Sequence, residues 1–118
     1  MVGNVADIPE HAGLVVQIGS RSIGVFRIGD QVYALRNVCA HQGGPLCTGK
    51  VFPALRAEIL PTGKVREYYD YEQMIVACPW HGWEYDLASG ECLADPSKRV
   101  AVYPARADGD SIVVSVPD

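Results

Sequence analysis

The 118-residue chain sets 10 Lys and Arg against 14 Asp and Glu, a formal charge of −4. That balance excludes a basic face of the kind nucleic acid or an anionic membrane needs. The hydrophobic fraction of 48% fits a globular fold, and no apolar run reaches the length of a membrane span.

The length suits one domain over residues 1–118. Residues 1–12 hold Asp7, Pro9, Glu10 and His11, with no basic start leading into an apolar run. The expectation is a cytoplasmic chain, in which four cysteines serve metals rather than disulfides. This first stretch reads as a loose arm or an edge strand. Leu14–Ile18 and Ile23–Ile28 are β-branched runs around Gly19-Ser20-Arg21, a hairpin signal. After a turn at Gly29-Asp30, Gln31–Arg36 alternates as a strand with Val32, Ala34 and Arg36 on one side.

Cys39-Ala40-His41 follows, and later Cys78-Pro79-Trp80-His81. Each offers one thiolate and one imidazole, with glycine and proline close by. Such stretches make poor strands, so both predict loops that present ligands. Between them, Val51–Leu55 reads as a short helical turn or an irregular strap. Glu58–Leu60 and Val65–Tyr69 flank Pro61-Thr62-Gly63-Lys64 and predict a hairpin. Gln73–Ala77 reads as a short buried strand.

Beyond the second loop, Trp83–Asp86 predicts a strand, Leu87–Gly90 a turn and Glu91–Leu93 a return. Val100–Tyr103 is a strand stopped by Pro104, and Asp108-Gly109-Asp110 turns into Ile112–Val116. No helical period persists. The sum is an all-β chain: stacked antiparallel sheets or a partly open barrel, with two ligand loops at one tip.

The two stretches Cys39–Gly49 and Cys78–Asp86 resemble the two boxes of the Rieske [2Fe-2S] family. The likeness runs on through Leu87–Gly90 to Tyr103-Pro104. It implies a Rieske-like fold, one [2Fe-2S] cluster per chain, and Cys39, His41, Cys78 and His81 as its ligands, the cysteines on one iron and the histidines on the other. It places Gly43, Gly44, Pro45, Pro79, Trp80, Gly82, Trp83 and Tyr85 around those ligands. The cluster part spans about 37–92, and the linker at about 50–73 is longer than the family's usual one, an inserted hairpin. Zinc is the competing metal, because Cys2His2 also makes structural zinc sites; those usually draw like ligands from one element, whereas each loop here mixes them.

The resemblance implies electron transfer: a ferredoxin between a reductase and a terminal oxygenase, or a small subunit of a multi-subunit oxidoreductase such as nitrite reductase. A zinc-stabilised binding module is the third reading. No nucleophile–base set is recognisable, and only His11 is left for the second iron site that ring-hydroxylating oxygenases add. High-potential members place disulfide cysteines at the positions of Gly44 and Trp80 and a serine at Trp83. Their absence predicts a potential in the lower half of the roughly −150 to +300 mV Rieske range. Exposed imidazole ligands predict a potential that falls as pH rises through the oxidised-state His pKa. Cys47 and Cys92 read as small buried hydrophobes, and the acidic, aromatic run Glu67–Glu72 as a solvated strand or a partner surface.

Overall fold

The computed structural model describes residues 3, 4, 8, 12–29, 31–40, 43–80 and 82–116. Among them are ten strands, one 3-10 turn at Leu46–Thr48 and no α-helix. Among the described residues no helix is long and apolar enough to cross a membrane.

The strands form three antiparallel sheets. The central one joins β2 (Leu14–Ile18), β3 (Arg21–Ile28), β4 (Gln31–Arg36) and β8 (Val102–Tyr103). A second sheet runs β1 (Gly3–Asn4), β10 (Ser111–Val114), β9 (Ala105–Asp108), with β1 at its edge. The third runs β5 (Val51–Ile59), β6 (Val65–Ala77), β7 (Glu84–Asp86).

Pleating sends successive side chains to opposite faces, and the central sheet uses both. Ile23, Val25, Val32 and Ala34 pack on one side with Ile112 and Tyr103. Phe26 and Leu35 pack on the other with Leu46, Val51, Met74 and Val76. This two-sided burial is why residues 23–26 are buried one after another rather than alternately. It also modifies the reading of β4: Val32 and Ala34 share a buried side as expected, but Arg36 is exposed and Leu35 is buried on the opposite side.

The stretch from Val51 departs from expectation. It is neither a helical turn nor a strap but a nine-residue strand paired with β6. Pro53 cannot donate to a ladder. It is tolerated because β5 is the edge of its sheet and the register shifts between Pro53 and Ala54. The hairpin turn at Pro61–Lys64 forms as expected, with Gly63 at φ +85°, and β6 then continues unbroken to Ala77.

Candidate metal centre

Both ligand loops leave the end of a strand and close in the same way. In the first, Gly43 N–H donates to Cys39 C=O at 2.9 Å and Cys39 N–H donates to Gly44 C=O at 2.8 Å. In the second, Gly82 N–H donates to Cys78 C=O at 3.1 Å and Cys78 N–H donates to Trp83 C=O at 2.7 Å. Each ring closes through a glycine in the left-handed region, Gly43 at φ +72° and Gly82 at φ +71°, where a side chain would be strained. The two loops therefore close through the same pair of backbone hydrogen bonds, with the cysteine at the same position in each.

Cys39 and Cys78 are 2% and 1% exposed, and the two side chains interact with each other. Donors already point at both sulfurs. Tyr85, fully buried, has its hydroxyl 3.1 Å from Cys39 Sγ. The same oxygen accepts the Ala40 N–H at 3.0 Å, which leaves its proton for the sulfur. The backbone N–H of Trp80 bonds Cys78. Burial pushes the Cys78 thiol up, the Trp80 N–H lowers it, and Cys39 beside it raises it further. Burial likewise raises the Tyr85 hydroxyl, so it stays a donor.

Two buried thiols with donors aimed at their sulfurs fit a metal. Alone, the Cys78 thiol resists ionising; a bound cation deprotonates a coordinating thiol outright, and the donors then meet thiolates. The pair fits the cysteine half of a [2Fe-2S] centre. His41 and His81, the expected imidazole half, lie outside the described residues, as does His11. Among the described residues no three Cys, His, Asp or Glu side chains gather as a metal site.

The surrounding residues sit as follows. Trp80, half exposed, reaches across to the first loop: a Cβ on Gly44 would lie 2.8 Å from its indole carbons. The indole thus rests on glycine backbone and ties the loops together without a covalent bond. Pro45 opens the 3-10 turn, its carbonyl accepting the Thr48 hydroxyl at 2.8 Å. Pro79 borders a mainly apolar cavity of about 350 Å³ with Cys78, Lys50 and Phe52. Trp83 packs against the core.

Cys47 and Cys92 are buried, as expected, at 0% and 1%. Burial pushes the Cys47 thiol up to about 12, so it stays protonated and unreactive.

Sequence reasoning missed three supports. The Asn37 side-chain oxygen accepts the Cys47 N–H at 2.8 Å while its amide donates to Ser22 at 3.2 Å, pinning the first loop to the β2–β3 hairpin. A Cβ on Gly24 would fall 2.1 Å from that of Cys47. A Cβ on Gly49 would fall 1.7 Å from the Ala77 carbonyl oxygen, one residue before Cys78. An asparagine just before a ligand loop was the one signal available; the two glycine contacts are long-range and leave no local mark.

Two cysteine loops closed by the same hydrogen bonds, carried on antiparallel sheets, fit a two-loop metal-binding domain. A family model described as the Rieske [2Fe-2S] domain matches residues 1–104, and the chain belongs to that family. A Rieske domain carries one [2Fe-2S] cluster. The 3-phenylpropionate/cinnamic acid dioxygenase ferredoxin subunit of Escherichia coli (strain K12) is 25% identical over 115 residues, covering 97% of this chain and 90% of that protein. The ferredoxin of carbazole 1,9a-dioxygenase from Nocardioides aromaticivorans IC177 superposes with a TM-score of 0.73 at 24% identity, covering 97% of this chain and 93% of that one. The NAD(P)H nitrite reductase small subunit from Erwinia carotovora gives 0.69 at 27% identity, over 99% of this chain and 80% of that one.

Proposed function

We propose that this chain is a one-electron carrier, the ferredoxin component between a reductase and a terminal oxygenase, with no catalytic site of its own. Residues 1–118 act as one domain, the β5–β6 ribbon being an addition to it. Cys39, His41, Cys78 and His81 hold the cluster. When bound, a [2Fe-2S] cluster supplies a couple that takes up and releases a single electron. The observation that carries the reading is the pair of buried sulfurs, each already met by a hydrogen-bond donor.

The protein's own part is to hold still and to tune. Rings closed through Gly43 and Gly82 fix the two cysteines with little freedom to rearrange between charge states. The Tyr85 hydroxyl and the Trp80 N–H stabilise negative charge on the sulfurs, which favours the reduced form. Burial of both cysteines keeps water from the inner side.

The test is an EPR spectrum of anaerobically purified, dithionite-reduced protein, beside iron and sulfide assays. A rhombic S = 1/2 signal with two irons per chain supports the proposal. A colourless protein with stoichiometric zinc overturns it. The likeness to the nitrite reductase small subunit at 27% identity favours a second reading, a small subunit of a larger oxidoreductase. Stable co-purification of this chain with a large flavin- or haem-containing subunit selects that reading.

A further inference from the structure

The outer half of the β5–β6 ribbon takes no part in the core. Past the register shift, Leu55 pairs with Tyr69, Ala57 with Glu67 and Ile59 with Val65. Paired residues of an antiparallel ladder share a face, so these six make one side. Four are large, apolar and exposed: Leu55 59%, Ile59 78%, Val65 61% and Tyr69 60%. The other side holds ion pairs Arg56–Asp70 at 2.7 Å and Arg66–Glu58 at 2.8 Å, with Arg66 stacked over Tyr68. The ribbon is therefore amphipathic, and the polar side is already satisfied. A two-stranded ribbon is marginal by itself, and here it is the apolar side that lacks a covering layer.

That side leads to the metal centre. A groove of about 490 Å³ lies at its foot, its lining including Phe52, Leu55, Arg56, Tyr69, Ile75, Glu84 and Leu93. Phe52 also lines the cavity that Cys78 and Pro79 border. Seven strand steps from Phe52 to Ile59 span about 23 Å. A body lying on the strip therefore also reaches the sulfur-bearing loop. Along the strip and its groove the unpaired charge is acidic. Among the described residues, Arg56, which also lines the groove, is held by Asp70 and Arg66 by Glu58, while Glu67 on the strip and Glu84 in the groove have no ion-pair partner.

We propose that this strip is the docking surface of a protein electron-transfer partner whose matching surface is apolar and edged by Lys or Arg. The proposal rests on the electron-carrier reading. A second copy of this chain is the poorer occupant: laid face to face it offers the same carboxylates, and its six strip residues include no cation.

The test mixes reduced holoprotein with ferric cytochrome c, a basic protein that accepts one electron. One electron leaves the reduced chain and converts ferric haem to ferrous, with no bond made or broken. The double variant Leu55→Ser/Ile59→Ser lowers the second-order rate about fivefold or more, and Glu67→Lys does so at low salt with the deficit fading as salt screens it. Asp110→Lys, the same charge change on the distant β9–β10 turn, has a clearly smaller effect. Iron content, EPR signal and midpoint potential are measured on every variant and stay at wild-type values. Wild-type rates in both strip variants overturn the docking surface while leaving the carrier reading intact. A wild-type dimer in sedimentation that Leu55→Ser/Ile59→Ser dissociates puts a second copy there instead and also overturns it. A wild-type chain that holds no iron overturns both.

Discussion

The two ends of one ribbon behave as different materials. At the foot of β5–β6, Val51, Met74 and Val76 are 5%, 6% and 0% exposed. At the outer end, Ile59 and Val65 are 78% and 61% exposed. The residue types are alike; what differs, past the register shift, is the layer above. The foot faces Phe26 and Leu35 of the central sheet, and the outer end passes beyond it. β-propensity makes a ribbon wherever side chains suit a pleated surface, but burial is set by what packs on that surface. The foot thereby positions both cysteine loops, and the outer end is left for other contacts.

Substitutions at the foot test that division most severely. Gly49 sits at φ −78° and ψ 176°, a conformation open to any residue, so its requirement is purely steric. Gly49→Ala drives a Cβ into the Ala77 carbonyl at 1.7 Å, and the strand ahead of Cys78 must move. The expected loss is about 3 kcal/mol or more, together with iron, read by denaturant midpoint and by iron per chain. Met74→Ala leaves a cavity between β6 and the central sheet and costs roughly 2–5 kcal/mol, read by urea unfolding. A foot variant that unfolds no earlier than wild type breaks the comparison.

A smaller effect is expected at the centre itself. Tyr85→Phe keeps the buried ring and removes the donor to Cys39 Sγ. The reduced form, with more charge on sulfur, loses more than the oxidised form, so the potential falls. A hydrogen bond worth about 1 kcal/mol to that difference corresponds to about 40 mV at 59 mV per tenfold for one electron. Redox titration of wild type and variant reads the shift; an equal or higher potential in the variant removes Tyr85 from the tuning.

The contrast within the ribbon also marks what was legible in the sequence. Turns are local chemistry, so the hairpins at Gly19, Gly63 and Gly109 stand where the residues placed them, all three glycines at positive φ. The loops at Cys39 and Cys78 were equally legible, because the cysteines stand among turn residues within a few positions. What escaped was non-local. Pro53 masked a strand because its tolerance depends on an edge and a register shift. Gly44 and Trp80 were each identifiable as loop residues, but their contact across the loops follows only from the fold. The run from Glu67 to Glu72 read as a solvated strand or a partner surface; the structure adds that Glu67 and Tyr69 lie on the apolar side and Tyr68 and Asp70 on the charged one.

The gentlest perturbation belongs to that charged side. The Arg56 guanidinium hydrogen-bonded to Asp70, helped by the Glu72 N–H at 3.0 Å, holds the Asp70 carboxyl below the usual carboxylate range. A lowered folded-state pKa gives stability that is present above the unfolded value, near 4, and is lost as pH falls through the folded one. Both groups are solvated, so the effect is small and salt-sensitive. Unfolding of wild type and Asp70→Asn, followed from pH 7 down to 3, is expected to differ slightly at the upper end and to converge at the lower, with the difference reduced in 1 M salt. Iron content stays equal throughout, because the pair braces the ribbon past the last residue that touches the cysteine loops. Loss of iron in Asp70→Asn places the outer end among the supports of the centre, and the division between the ribbon's two ends then fails.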